Sequence, residues 1–158
     1  MHRSTIPMVS AAVLACALGA TPAALAQTHV MQTLAATKWG PAPPMLPPGA
    51  LIAVLAGNPM GDSPYTLRLK FPANYSIPAH SHPKDEHVTV LSGNLFIAMG
   101  DKLDKTVGKP LGLGGFALMP ANANHFAYTR RPTIVLLHGQ GPVEFKYVNP
   151  ADDPRNKK

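Results

Sequence analysis

The chain has 158 residues, of which 18 are proline and 13 glycine, with one cysteine and a formal net charge of +6. That length holds one domain of ordinary size rather than two. Lysine and arginine are scattered, adjacent only at Arg130-Arg131 and Lys157-Lys158, and no aromatic residues interleave with a basic stripe. Nucleic acid is therefore not an expected partner, and the charge supports only a mild preference for anionic small molecules or surfaces.

In chain order, residues 1–26 read as an export signal. His2 and Arg3 are polar, Ile6 to Ala20 carries no charged residue, and Ala24-Leu25-Ala26 is a small-x-small cleavage site. The mature chain is expected to begin near Gln27, to be periplasmic or secreted, and to carry a net charge of about +5 once Arg3 is removed. A membrane-spanning anchor fits less well, because the apolar run falls short of the ~20 residues a bilayer requires and Pro22 interrupts it. No membrane insertion is expected after the signal is removed. Val13-Leu14-Ala15-Cys16 is a weak lipobox, which leaves lipidation at Cys16 as a minor alternative. Cys16 is the only cysteine, so the mature domain has no thiol, which excludes disulfides and a cysteine nucleophile.

Residues 27–49 form an N-terminal arm. Thr28 to Lys38 is a candidate for a short helix or a first strand. From Trp39 to Gly49 five prolines remove backbone donors and fix φ, which predicts an extended segment packed along a surface rather than inside a sheet. Eight runs rich in β-formers follow: Ala50 to Ala56, Tyr65 to Phe71, His87 to Leu91, Leu95 to Met99, Gly115 to Met119, His125 to Thr129, Thr133 to His138 and Val143 to Val148. Turn clusters such as Ser92-Gly93-Asn94 and Gly139-Gln140-Gly141-Pro142 separate them. The spacing predicts an all-β sandwich or barrel over residues 50–149, with no internal repeat or second domain. Residues 150–158 are charged and predicted to be a flexible, solvated tail.

The segment Pro78-Ala79-His80-Ser81-His82-Pro83-Lys84-Asp85-Glu86 carries the chemistry. His80 and His82 are two apart, so an extended chain aims both imidazoles at one face, and Glu86 shares its parity with inward-facing Val88 and Val90. His125, opening a strand after the Pro120-Ala121-Asn122 turn, is the natural fourth ligand. Three imidazoles and one carboxylate suit a single divalent transition metal (Mn, Fe, Co, Ni, Cu or Zn) and fit Ca poorly. Taken alone, His80 and His82 read better as a pair of surface histidines than as ligands, and the offsets to Glu86, Gly93 and His125 reverse that. Glu86 could also be a solvated carboxylate, but its parity with Val88 and Val90 favours an inward side chain. His87 has the opposite parity and is expected to face away from the other histidines. His138 reads as a core histidine with a hydrogen-bond partner, and Tyr128 as a half-buried strand tyrosine. Phe96, Phe116 and Phe126 are expected in the core or a pocket wall.

These residues resemble the cupin superfamily, marked by G-x5-H-x-H-x3,4-E-x6-G and G-x5-P-x-G-x2-H-x3-N. The first motif matches as His80-x-His82-x3-Glu86-x6-Gly93, with Asn74 at the leading glycine. The second matches as Gly114-x5-Pro120-x-Asn122-x2-His125-x3-Thr129, where Asn122 replaces glycine and Thr129 replaces asparagine. Asparagine is among the few residues that enter the left-handed region a tight turn requires, so both glycine replacements are tolerable. The resemblance implies a six- to eight-stranded antiparallel jelly-roll β-barrel, often a homodimer, with a metal held by His80, His82, Glu86 and His125 near one open end. Small exported bacterial cupins of one domain are the nearest in kind. Two functions follow. One is a metal-dependent enzyme of the oxygenase, decarboxylase or isomerase kind, acting on a small oxygen-rich molecule with Glu86 as a catalytic base. The other is a periplasmic module that binds or senses a small ligand with the same metal.

Overall fold

A computed structural model describes residues 29–157; the signal-peptide reading of residues 1–26, including Cys16, lies outside them. Eleven strands are found among the described residues: β1 (Gly40–Pro41), β2 (Leu51–Gly57), β3 (Pro64–Phe71), β4 (Ser76–Ser81), β5 (Glu86–Ser92), β6 (Leu95–Met99), β7 (Lys109–Leu111), β8 (Phe116–Met119), β9 (His125–Thr129), β10 (Thr133–Gln140) and β11 (Lys146–Tyr147). They form two antiparallel sheets, in the orders β1-β2-β3-β10-β5-β8 and β11-β4-β9-β6-β7. β1, β7 and β11 are only two or three residues long, which leaves eight longer strands.

Alternation explains how the sheets pack. Along β5, Glu86, Val88 and Val90 are buried while His87, Thr89 and Leu91 are only partly so. Leu67 and Leu69 from β3 and Val135 and Leu137 from β10 join Val88 and Val90, and Ile77, Leu95 and Ala127 close over them from the second sheet. One apolar interior results, the arrangement of a jelly-roll barrel.

Three strands were not among the sequence-predicted runs, and each contains a proline: Pro41 in β1, Pro78 in β4 and Pro110 in β7. Proline cannot donate to a ladder. In β4 the cost is visible, because its pairing with β9 is irregular between Ile77↔Ala127 and His80↔His125, where Pro78 lies. The predicted strand from Val143 to Val148 shrinks to the two residues of β11.

The turns behave as the asparagine substitutions require. Asn74 and Asn122 have φ of 60° and 62°, the left-handed conformation. At Gly93, with φ of 79°, an added Cβ would fall 2.4 Å from the Pro132 carbonyl oxygen, so the hairpin there accepts no side chain.

Both ends of the described chain return to the barrel. Residues 29–38 form neither a helix nor a strand; they bend through a turn at Leu34–Thr37, and Arg68 donates to the Thr33 carbonyl and the Thr37 hydroxyl. The arm does not simply run along a surface. Gly40–Pro41 pairs with β2, and Leu46 is buried in the core. The tail, expected to be flexible, forms two 3-10 turns, Pro150–Asp152 and Pro154–Asn156, and Arg155 donates to the Phe145 carbonyl at 2.9 Å.

Candidate metal centre

β4 and β9 place His80 directly opposite His125. His82 follows β4, and Glu86 opens β5 after the Pro83–Asp85 turn. Two bonds tie that turn to the one preceding β9: Asn122 N–H donates to the His82 carbonyl at 2.7 Å, and Ala121 N–H donates to Asp85 Oδ1 at 2.8 Å. The two distant sequence segments are thus fastened together beside the histidines.

The ligand atoms of His80, His82 and His125 all lie within 4.8 Å of one another. Glu86 stands beside two of them, its Oε2 at 3.7 Å from His82 Nε2 and 4.0 Å from His125 Nε2. All four side chains are buried.

Each imidazole is held by its other nitrogen. Nδ1 lies 2.7 Å from the Pro78 carbonyl in His80, 2.7 Å from the Glu144 carbonyl in His82 and 3.0 Å from the Ala123 carbonyl in His125. A carbonyl oxygen only accepts, so each Nδ1 carries the proton and donates it; in the neutral ring Nε2 keeps a free lone pair. Burial holds all three imidazoles below the ordinary histidine range, in His80 with added repulsion from the charges His125 and His82 would carry, so the neutral forms are favoured. His82 Nε2 is buried without a hydrogen-bond partner. An orphaned acceptor inside a protein is costly unless something occupies it.

These features fit a transition-metal ion, which the three neutral imidazoles can hold. Metal-bound histidines ordinarily donate their second N–H to an acceptor that fixes the ring, and here all three do. Burial pushes the Glu86 carboxyl above the ordinary carboxylate range, partly offset by His125 and His87. A nearby cation would reverse that direction.

Phe145 was missed by sequence reading. Its ring stacks on His80 with centroids 4.5 Å apart and meets His82 edge-on at 4.6 Å, walling the pair from one side. Nothing in its neighbourhood in the sequence marks it, since it comes to the site from the loop before β11. Tyr65 was likewise not singled out. Burial and the nearby Glu86 charge raise its phenol pKa, which keeps it neutral beside the carboxylate.

The remaining predicted residues lie elsewhere. His87 is on the outer face of β5, as its parity requires. His138 is not a core histidine: it is exposed on β10, opposite His87 in register, and their rings stack at 4.7 Å and 8°. Tyr128 is fully buried rather than half-buried; it stacks on Phe96, and its hydroxyl lies 3.0 Å from the Lys105 carbonyl. Phe126 is in the core, whereas Phe116 is exposed.

No family model and no curated protein matches the chain. Solved structures do. The polyketide cyclase RemF from Streptomyces resistomycificus aligns with a TM-score of 0.62 at 17% identity, over 80% of this chain and 90% of that one. A candidate acetylacetone dioxygenase from Methylibium petroleiphilum aligns at 0.61 with 18% identity, over 81% and 86%. An RmlC-like cupin from Shewanella frigidimarina aligns at 0.55 with 16% identity, over 72% and 92%. The chain therefore has a cupin fold. Within that fold it carries a buried cluster of three histidines able to hold a metal ion.

Proposed function

We propose that the protein is a divalent-metal cupin in which His80, His82, Glu86 and His125 hold one transition-metal ion, and that it is a metal-dependent enzyme acting on a small oxygen-rich molecule. The observation that carries this reading is the shared tautomer in a tight cluster: three Nδ1–carbonyl bonds leave three Nε2 lone pairs free on rings whose ligand atoms lie within 4.8 Å of one another, and the Nε2 of His82 is buried and unpartnered. A bound metal of this type supplies Lewis acidity, drawing electron density from carbonyl or enolate oxygens. The protein's own groups do the rest. Leu69, Val88, Val135 and Leu137 give the space beside the site apolar walls. Phe145 limits how far His80 and His82 can turn, and Glu86, buried beside both His82 and His125, is placed to take a proton from the substrate.

The reaction class draws support from similar structures, among them the candidate acetylacetone dioxygenase and the polyketide cyclase, both named for oxygen-rich small molecules. Elemental analysis of the purified protein, followed by oxygen uptake and product analysis with diketones, catechols, flavonols and oxalate, tests it. About one metal per chain with turnover of one of these classes is the expected result. Metal without turnover, together with thermal stabilisation by a small anion, supports the second reading: a module that binds or senses a ligand. That reading is favoured by one feature: among the described residues, those that line the cavity with His80, Glu86 and His125 include no further acid or base. The leader-like residues 1–26 support export, which would place metal loading in the periplasm or outside the cell.

A further inference from the structure

Two small apolar cavities lie side by side in the barrel. One, of about 30 Å³, is bordered by His80, Glu86 and His125. The other, of about 40 Å³, lies beneath Met45, Met60 and Val143. Five residues face both, and Leu46 is the one among them that comes from the arm; Leu69, Glu86 and Leu137 belong to barrel strands and Phe145 to the loop before β11.

We infer that Leu46 is a partition that limits how far the apolar part of a molecule bound at the three histidines extends into the barrel. With its side chain in place, the apolar space on the core side of the ligand set is about 30 Å³, too small for an aromatic ring. Without it, the two cavities join into one apolar pocket that ends on the histidines, shaped for a compact apolar or aromatic body.

The arm is built to hold this residue still. Prolines at 43, 44, 47 and 48 restrict φ on both sides of it. The Leu46 N–H donates to the Pro43 carbonyl at 3.0 Å. The residues flanking Leu46 are each fastened by a tyrosine: Tyr147 donates its hydroxyl to the Met45 carbonyl at 2.7 Å, and Tyr75 donates to the Pro47 carbonyl. Tyr147 also packs against His80, with ring centroids 5.9 Å apart, so one of the two fasteners touches the ligand set. A leucine held this way excludes by volume rather than by charge. The molecule it admits or refuses is therefore distinguished by the bulk of its apolar part.

For its chemistry this inference rests on the metal-enzyme reading, but the partition itself can be tested without metal. Benzene is titrated into the metal-free protein while the ring-nitrogen NMR signals of His80, His82 and His125 and the Tm are followed. The wild type is expected to show no saturable change. Leu46→Ala is expected to bind benzene at least about tenfold more tightly, with a raised Tm and displaced signals from the histidines. Leu67→Ala is the control: Leu67 borders the second cavity only, so this variant is expected to gain benzene binding with the histidine signals unmoved. Unmoved histidine signals in folded Leu46→Ala, or equal shifts in the wild type or in Leu67→Ala, overturn the partition. If Leu46→Ala does not fold, Leu46→Val is expected to give smaller shifts of the same signals, and their absence overturns it equally. A wild type that carries no metal would refute the metal-enzyme reading and leave this result standing.

Discussion

Five histidines lie within or close to β4, β5, β9 and β10, and the two groups they form behave in opposite ways. His80, His82 and His125 are buried, each tied through Nδ1 to a backbone carbonyl with its Nε2 lone pair left free. His87 and His138 stack flat on the outer face of the first sheet, and His87 Nδ1 has no partner. Glu86 and His87 are adjacent in sequence, yet one faces the cluster and the other faces out. What separates a ligand set from a surface pair is strand parity together with backbone acceptors that fix the tautomer.

The contrast is broken most severely by removing an inner ring. Replacing His125 or His82 by Ala should lower metal affinity by more than the ~10–100-fold that loss of an outer partner costs, with stoichiometry by elemental analysis falling from about one to none. Retention of full metal in either variant would merge the two groups.

Glu86→Gln should have the next largest effect, and its sign should differ with and without metal. Metal binding should weaken through loss of the negative ligand. The metal-free protein should instead gain stability at neutral pH. Burial raises the folded pKa of Glu86 above the ordinary value of about 4.5, so the folded state holds its proton more tightly than the unfolded one. Its unfavourable contribution therefore appears as pH rises from about 4.5 through the folded pKa, and Gln removes it. The histidines act at the other end. Their folded pKa values are lowered from 6.5, so the unfolded chain takes up protons first and metal-free stability should fall as pH drops below about 6.5. Urea unfolding of the metal-free protein across that range checks both signs, and His82→Ala should flatten the acid limb.

Phe145→Ala sharpens the comparison from the packing side. Loss of a buried phenylalanine should cost about 3–5 kcal/mol in denaturant unfolding. Metal binding should survive more weakly, because the ring walls His80 and His82 without ligating anything. The smallest effect is expected outside. His87→Ala and His138→Ala should leave metal content unchanged and alter stability by no more than about 0.5 kcal/mol, since neither ring has a hydrogen bond to lose.

Much of this is legible in the sequence. The alternation of β5 assigned Glu86 and His87 to opposite faces, and Asn74 and Asn122 stand in left-handed turns where the resemblance calls for glycine. Strands containing proline escaped because propensity counts against them, although β4 carries His80. His138 was misread because Ile134 to Leu137 is continuously apolar, yet Val135 and Leu137 face in and therefore turn His138 out. Phe145, Leu46 and the Arg155 bond to the Phe145 carbonyl depend on long-range packing of loop, arm and tail, which no local period encodes. The arm in particular looked like a surface strap because five prolines dominate its composition, while one leucine decides where it docks.

The central claim is tested most directly by X-ray absorption at the metal edge of the loaded protein, supported by a crystal structure with anomalous scattering. One ion bound by three imidazole nitrogens at roughly 2.0–2.2 Å, with an oxygen ligand from Glu86, is the predicted result. An ion found between His87 and His138, or a loaded protein whose first shell contains fewer than three imidazoles, would contradict it.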